Sequence, residues 1–146
     1  MIGNDIIDLN LAKKESNYRR LGFFEKQFSS NEQAQIKSTS NTFHLIWRLW
    51  SMKEAAYKVY TQQNENRFFA PKKFDCKISS GLNGFVYFEN KIFYTSTNIN
   101  DEYIFTLASF TKKTKAFSQV ANPQLLDKLL KNKLPLDSEG KKILIQ

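Results

Sequence analysis

Residues 2 to 7 read Ile-Gly-Asn-Asp-Ile-Ile, a run rich in β-branched residues that predicts a buried strand, interrupted by two turn-forming polar residues. From Leu9 to Phe28 basic residues alternate with Leu11, Ala12, Leu21, Phe23 and Phe24, which predicts one or two short helices broken near Gly22. Ser29 and Glu32 have capping-box spacing, so a helix starts there and runs to about Lys37, followed by a loop at 38 to 42. Residues 43 to 60 contain neither Gly nor Pro and set Leu45, Leu49, Met52, Ala56 and Val59 on one helical face. Trp47, Ser51, Glu54 and Lys58 fall together on another face of that long helix.

The period then changes. After a polar loop at 61 to 73, Phe74, Cys76 and Ile78 alternate, a Gly-Leu-Asn-Gly turn follows, and FVYFE and IFYTST complete a β-meander. YIFTLASF at 103 to 110 and KAFSQV at 115 to 120 predict a hairpin, and NPQLLDKLLKNK at 122 to 133 predicts an amphipathic helix. Helices early and antiparallel strands late make this an α+β fold, with one domain over 1–134 and a loosely held tail at 135–146.

Composition narrows the partners. At 146 residues the chain suits a single core, and 41% hydrophobic content with 13 Phe argues against disorder. The balance of 22 Lys and Arg against 14 Asp and Glu, +8 overall, favours an anionic partner. Cys76 is the single cysteine, so a disulfide framework is excluded and a reducing cytoplasm is expected. No stretch reaches the roughly 20 apolar residues of a membrane helix, and the acidic start lacks the apolar run of a signal peptide.

The chemistry must come from carboxylates and lysines. One histidine excludes a two-histidine metal site, and no Gly-rich phosphate loop or Gly-x-Ser-x-Gly elbow occurs. Asp5, Glu54 and Lys58 suit a hard cation beside a phosphate, because magnesium commonly takes one or two protein carboxylates and completes its shell with water and phosphate oxygens. The same Glu54–Lys58 spacing also suits an ordinary helix-surface ion pair worth about 0.2–0.5 kcal/mol. Cys76, in an alternating run, reads as a small buried hydrophobe, and Lys112, Lys113 and Lys115 as solvated turn residues.

The segments GNDIID at 3 to 8 and WSMKEAAYK at 50 to 58 together resemble the paired signature of the 4′-phosphopantetheinyl transferase superfamily, Gly-x-Asp followed by Trp/Phe-x-x-Lys-Glu-x-x-x-Lys. FSSNE at 28 to 32 resembles the acidic segment between those motifs in the short holo-acyl-carrier-protein synthase branch. Trp-Ser-Met-Lys-Glu is worded like the longer, surfactin-synthetase-activating branch. Ile7 stands where that longer branch has a third acid, His44 stands where the synthase branch commonly has arginine, and the Gly-Lys-Pro element of many members is missing.

The resemblance implies an antiparallel sheet packed on a long catalytic helix, and transfer of the phosphopantetheine arm of coenzyme A to a serine of an apo acyl carrier protein with magnesium. Adenosine 3′,5′-bisphosphate is released. It implies Asp5 and Glu54 as metal ligands, with Asp8 or water as a third, and Glu54 and Lys58 as catalytic residues. Lys58, Lys53, Arg48 and His44 are the expected coenzyme A contacts. Lys13, Lys14, Arg19 and Arg20 form either a solvated face or a docking patch for the acidic carrier, which belongs to fatty-acid, polyketide or peptide-synthetase assembly. Because this chain holds one copy of a fold that the longer branch resembles twice over, a homo-oligomer, trimeric by resemblance, is expected to complete the cleft, the alternative being a monomer whose own tail completes it. The other readings are a basic nucleic-acid-binding module and an inactive coenzyme-A-binding homologue; the first explains less, since the aromatics alternate as core positions.

Overall fold

A computed structural model of the chain describes residues 1–15, 22–64 and 69–111. The elements run β1 (Ile2–Asp8), α1 (Leu9–Glu15), α2 (Phe23–Gln27), α3 (Ser30–Ser38), α4 (Thr42–Gln63), a 3₁₀ turn (Pro71–Lys73), β2 (Asp75–Ser80), β3 (Asn83–Phe88), β4 (Lys91–Ile99) and β5 (Tyr103–Ser109). The strands form one antiparallel sheet in the order β1-β5-β4-β3-β2, so the first strand lies against the last and α4 lies across the sheet. This is the α+β arrangement expected from the sequence.

Asn4 and Asp5 do not interrupt the first strand. Every residue from Ile2 to Asp8 pairs with β5, Asp5 opposite Thr106, because ladder hydrogen bonds on the adjacent strand satisfy the backbone that a turn would otherwise claim. Ser29 caps α3 as predicted: its hydroxyl accepts from the Glu32 N–H while the Glu32 carboxylate accepts from the Ser29 N–H. Gly22 precedes α2 at φ +85°, a left-handed conformation that glycine adopts without steric cost. The long helix extends beyond its predicted end to Gln63, and Pro71–Lys73 forms a 3₁₀ turn inside the expected loop. The predicted strand at 115 to 120, the helix at 122 to 133, the boundary at 134 and Lys112, Lys113 and Lys115 lie outside the described residues.

The core forms between α4 and one sheet face. Leu49, Met52, Ala56 and Val59 are buried as the periodicity predicts, while Leu45 is only half-buried. Burial extends further round the helix to Ile46, Trp47, Ser51 and Ala55; Ser51 and Ala55 face β5 and β1, while α3 and the 3₁₀ turn cover the flank that carries Lys53. Phe74 stacks on Phe88 with ring centroids 4.1 Å apart, closing the β2–β3 end.

Two glycines set how closely α4 approaches. A Cβ on Gly3 would overlap the Ala55 carbonyl oxygen and meet Val59, and one on Gly84 would meet Met52 Cε and the Lys77 carbonyl oxygen. The strand backbone at Gly3 therefore touches the helix backbone directly. Gly3→Ala is expected to lower stability by about 1–3 kcal/mol, since neither the helix carbonyl nor the paired strand can move aside cheaply. A urea midpoint equal to that of the wild type would contradict this contact.

Candidate active site at the β1–α4 junction

The Gly3 contact determines where Asp5 lies. Residues two apart on a strand share a face, so Asp5 is on the face of β1 that Gly3 presses against α4. Two hydrogen bonds fix the direction of the strand along the helix: Gln62 Nε2 donates to the Ile2 carbonyl at 2.9 Å, and Lys58 Nζ donates to the Asn4 carbonyl at 2.7 Å. Two strand residues advance about 6.8 Å and four helical residues about 6 Å, so the two elements advance almost in step. One further helical turn, from Lys58 back to Glu54, is thus level with Asp5 and Ile6.

Lys58 Nζ also lies 3.8 Å from Asp5 Oδ1, with the Lys58 and Asp5 side chains 24% and 14% exposed. The site is thus partly screened from water but open at its rim. Glu54 is half-buried on the α4 face that carries Lys58. Ser51, on the same face one turn earlier, is fully buried and its hydroxyl donates to Thr106 Oγ1 at 2.9 Å. Thr106 is the residue opposite Asp5 in the sheet, so this bond fastens the helix to the strand pair that carries the acid. Spacing had placed an indole, a hydroxyl, an acid and a base together; the hydroxyl fastens the helix and the acid and base line the junction.

Asp5 and Glu54 supply hard oxygen donors, and no group of three or more His, Cys, Asp or Glu side chains suited to a metal occurs among the described residues. Two carboxylates beside a lysine fit magnesium, which leaves most of its shell to water and phosphate, and do not fit a closed zinc site. Asp8 has a different task. Its Oδ1 accepts the Leu11 N–H at 3.1 Å, capping α1, and its odd separation from Asp5 puts it on the opposite strand face.

The four residues expected to contact coenzyme A divide. Lys58 is at the junction. Lys53 is not available to a phosphate: it is fully buried, and its ammonium donates to Glu32 Oε1 at 2.7 Å, Glu32 Oε2 at 2.8 Å, the Pro71 carbonyl at 2.9 Å and the Phe74 carbonyl. The expectation for Lys53 is corrected on that ground, because at position 53 the helix faces α3 and the 3₁₀ turn, not the sheet edge. Arg48 is nine-tenths buried, and among the described residues its Nε and Nη2 have no hydrogen-bond partner; burial lowers its pKa from the ordinary guanidinium value. His44, one turn earlier, is half-buried with Nδ1 2.9 Å from Asn41 Oδ1.

Lys13 and Lys14 are exposed at the end of α1, while Arg19 and Arg20 lie outside the described residues. Cys76 is buried, and burial pushes its thiol well above the usual range, so it behaves as the small hydrophobe expected. Sequence reading missed the second task of Glu32. Besides capping α3 it is fully buried and accepts from Lys53 and from the Cys76 N–H at 2.7 Å. The available signal was a capping carboxylate between apolar Phe28 and Ile36 with a lysine in the apolar helix to follow.

No helix among the described residues is long and apolar enough to cross a membrane. Several solved structures share the fold. The chain resembles a holo-(acyl-carrier-protein) synthase from Bacillus anthracis in complex with coenzyme A (3′,5′-ADP), at 19% identity and TM-score 0.58, covering 73% of this chain and 91% of that one. It also resembles the coenzyme A complex of the Helicobacter pylori holo-[acyl-carrier-protein] synthase, at 16% identity and TM-score 0.56 over 74% and 97% of the two chains. The Thermotoga maritima holo-[acyl-carrier-protein] synthase is matched at 15% identity and TM-score 0.55 over 73% of this chain and 60% of that one. No curated protein matches by sequence. The family model of the 4′-phosphopantetheinyl transferase superfamily spans residues 1–108, taking in both motifs and the sheet that joins them, and the chain belongs to that superfamily.

Proposed function

We propose that this protein transfers the 4′-phosphopantetheine arm of coenzyme A to a serine of an apo acyl carrier protein in a magnesium-dependent reaction, releasing adenosine 3′,5′-bisphosphate. The observation that supports it most is the junction of Asp5 with Lys58 across β1 and α4, one turn from Glu54, in a chain of this superfamily. Asp5 and Glu54 would hold magnesium, which supplies charge neutralisation at the diphosphate as the bridging bond breaks. Lys58, already held by the Asn4 carbonyl, presents its ammonium to the same phosphates. The serine oxygen attacks the phosphorus that bears the pantetheine arm, and the bridging P–O electron pair leaves with the nucleotide. Glu54 or a water takes the serine proton.

Arg48 and His44 are proposed as further coenzyme A phosphate contacts, Arg48 because a buried guanidinium with two donors unpartnered among the described residues is stabilised by an anionic acceptor. Arg48→Met should raise the KM for coenzyme A about tenfold or more, the loss of one charge-assisted hydrogen bond of about 1.5–3 kcal/mol. An unchanged KM would remove Arg48 from the site.

The carrier is proposed to dock on α1, with Lys13 and Lys14 meeting its acidic surface and Arg19 and Arg20, later in the chain, as further cations for it. Lys14→Glu should raise the carrier's KM about fivefold at low salt, less as salt is added, and leave coenzyme A binding alone. Equal carrier KM values at low salt would refute the patch. Self-association, trimeric by the same resemblance, is proposed through the sheet face turned from α4, where Phe85 pairs with Tyr94 and Tyr87 with Ile92, the last two 39% and 43% exposed. Calorimetry tests the site without turnover. Coenzyme A should bind more tightly with magnesium than with chelator, and the difference should vanish in Asp5→Asn; an inactive coenzyme-A-binding homologue would show the binding without product.

A further inference from the structure

We infer that the buried Glu32–Lys53 pair is a positioning device for Glu54, setting the rotation of α4 about its own axis, and this rests on the function proposed above. Lys53 and Glu54 are consecutive, so any force that turns Lys53 turns the carboxylate beside it. The Lys53 ammonium is held by both oxygens of Glu32 on α3 and by two backbone carbonyls, those of Pro71, which opens the 3₁₀ turn, and Phe74, which follows it. Glu32 is in turn held by the Ser29 and Cys76 N–H groups, and Ser29 Oγ bonds Asp75, so both partners are tied to parts of the fold separate from α4. Both side chains are fully buried, and the ammonium also lies 5.6 Å from the centroid of the Phe28 ring.

The other flank of the helix is held as well. Lys58 is five residues on, about 140° round the axis; it bonds the Asn4 carbonyl and forms an ion pair with Asp5 at 3.8 Å, both on β1. Glu54 thus sits between two clamps on opposite sides of α4. Side-chain tips ride about 5–6 Å from a helix axis, so a 10° turn moves the Glu54 carboxylate about 1 Å. Displacements of that size can cost about a hundredfold in rate. A greasy contact would permit such a turn, whereas an ammonium with acceptors fixed on α3 and on the 3₁₀ turn and its cap does not, and this is a role that apolar packing at position 53 would not fill.

A purely stabilising pair and a positioning pair respond differently to repair by neutral residues. Replacing both members of a buried ion pair often restores stability, because no charge is left unpaired. E32Q/K53M should therefore recover the melting temperature lost in Lys53→Met while its kcat stays at least thirtyfold below wild type. Glu32→Asp keeps the charge but shortens its reach. It should fold, lose about tenfold in kcat with the carrier KM within twofold of wild type, and bind Mn²⁺, followed by electron paramagnetic resonance, at least fivefold more weakly. Recovery of wild-type kcat together with stability in the double variant, or wild-type kcat and Mn²⁺ affinity in folded Glu32→Asp, would overturn the inference and leave the pair as a stabilising element. A wild-type protein that neither binds Mn²⁺ nor transfers the arm would overturn the proposed function, and this inference with it.

Discussion

Glu54→Gln is expected to reduce transfer about a thousandfold while leaving the protein folded, the range of a lost acid–base or charge-stabilising group. The side chain is half-buried and the amide is isosteric, so core contacts of α4 at Leu49, Met52, Ala55 and Ala56 are untouched. The change should fall on kcat more than on the carrier KM, because the carboxylate acts at the diphosphate and the serine proton. Asp5→Asn should behave alike, with one difference. Asp5 lies 3.8 Å from Lys58, so its removal also frees that ammonium to turn toward the Asn4 carbonyl alone. Steady-state rates with circular dichroism on the same samples check both; more than a tenth of wild-type turnover in folded Glu54→Gln would exclude it from the site.

Lys53→Met should have the largest effect on stability. The substitution leaves the Glu32 carboxylate fully buried without its cation, and breaking one side of such a pair costs about 3–5 kcal/mol. For a domain of this size that lowers the melting temperature by about ten degrees or more. The Pro71 and Phe74 carbonyls lose a donor as well, so loosening of the 3₁₀ turn should accompany the fall. Urea titration measures the deficit, and a loss below about 1 kcal/mol would mean that the pair is hydrated in solution.

The elements that were legible in the sequence are those whose signal is local. The capping box at Ser29 and Glu32 is a three-residue pattern and fixed the start of α3; the apolar spacing from Leu49 to Val59 located the helix that carries the site. The alternation from Phe74 to Ile78 and the Gly-rich turn after it likewise gave the meander. The first strand was misread at Asn4–Asp5, because these residues favour turns in isolation and only pairing with β5, about a hundred residues away, holds them extended.

The site divides along the same line. Gly-x-Asp is legible because its two residues act within one strand: Gly3 permits the close approach and Asp5 uses it. Lys53 was misplaced because spacing gives the direction of a side chain on its helix and says nothing about what lies opposite. The acceptors that bury it, Glu32, Pro71 and Phe74, come from segments 18 to 21 residues distant, and only the tertiary fold assembles them. A lysine within an apolar helix could have been suspected of needing a buried carboxylate, since an unpaired buried charge is too costly to persist.

The most direct test of the transferase account is the intact mass of an apo acyl carrier protein after incubation with this protein, coenzyme A and magnesium, beside chelated and Glu54→Gln controls. The account predicts a gain of one phosphopantetheine arm on the carrier serine, absent with chelator and strongly reduced in the variant. A carrier mass that stays unchanged across fatty-acid, polyketide and peptide-synthetase carriers, with the protein folded, would contradict it.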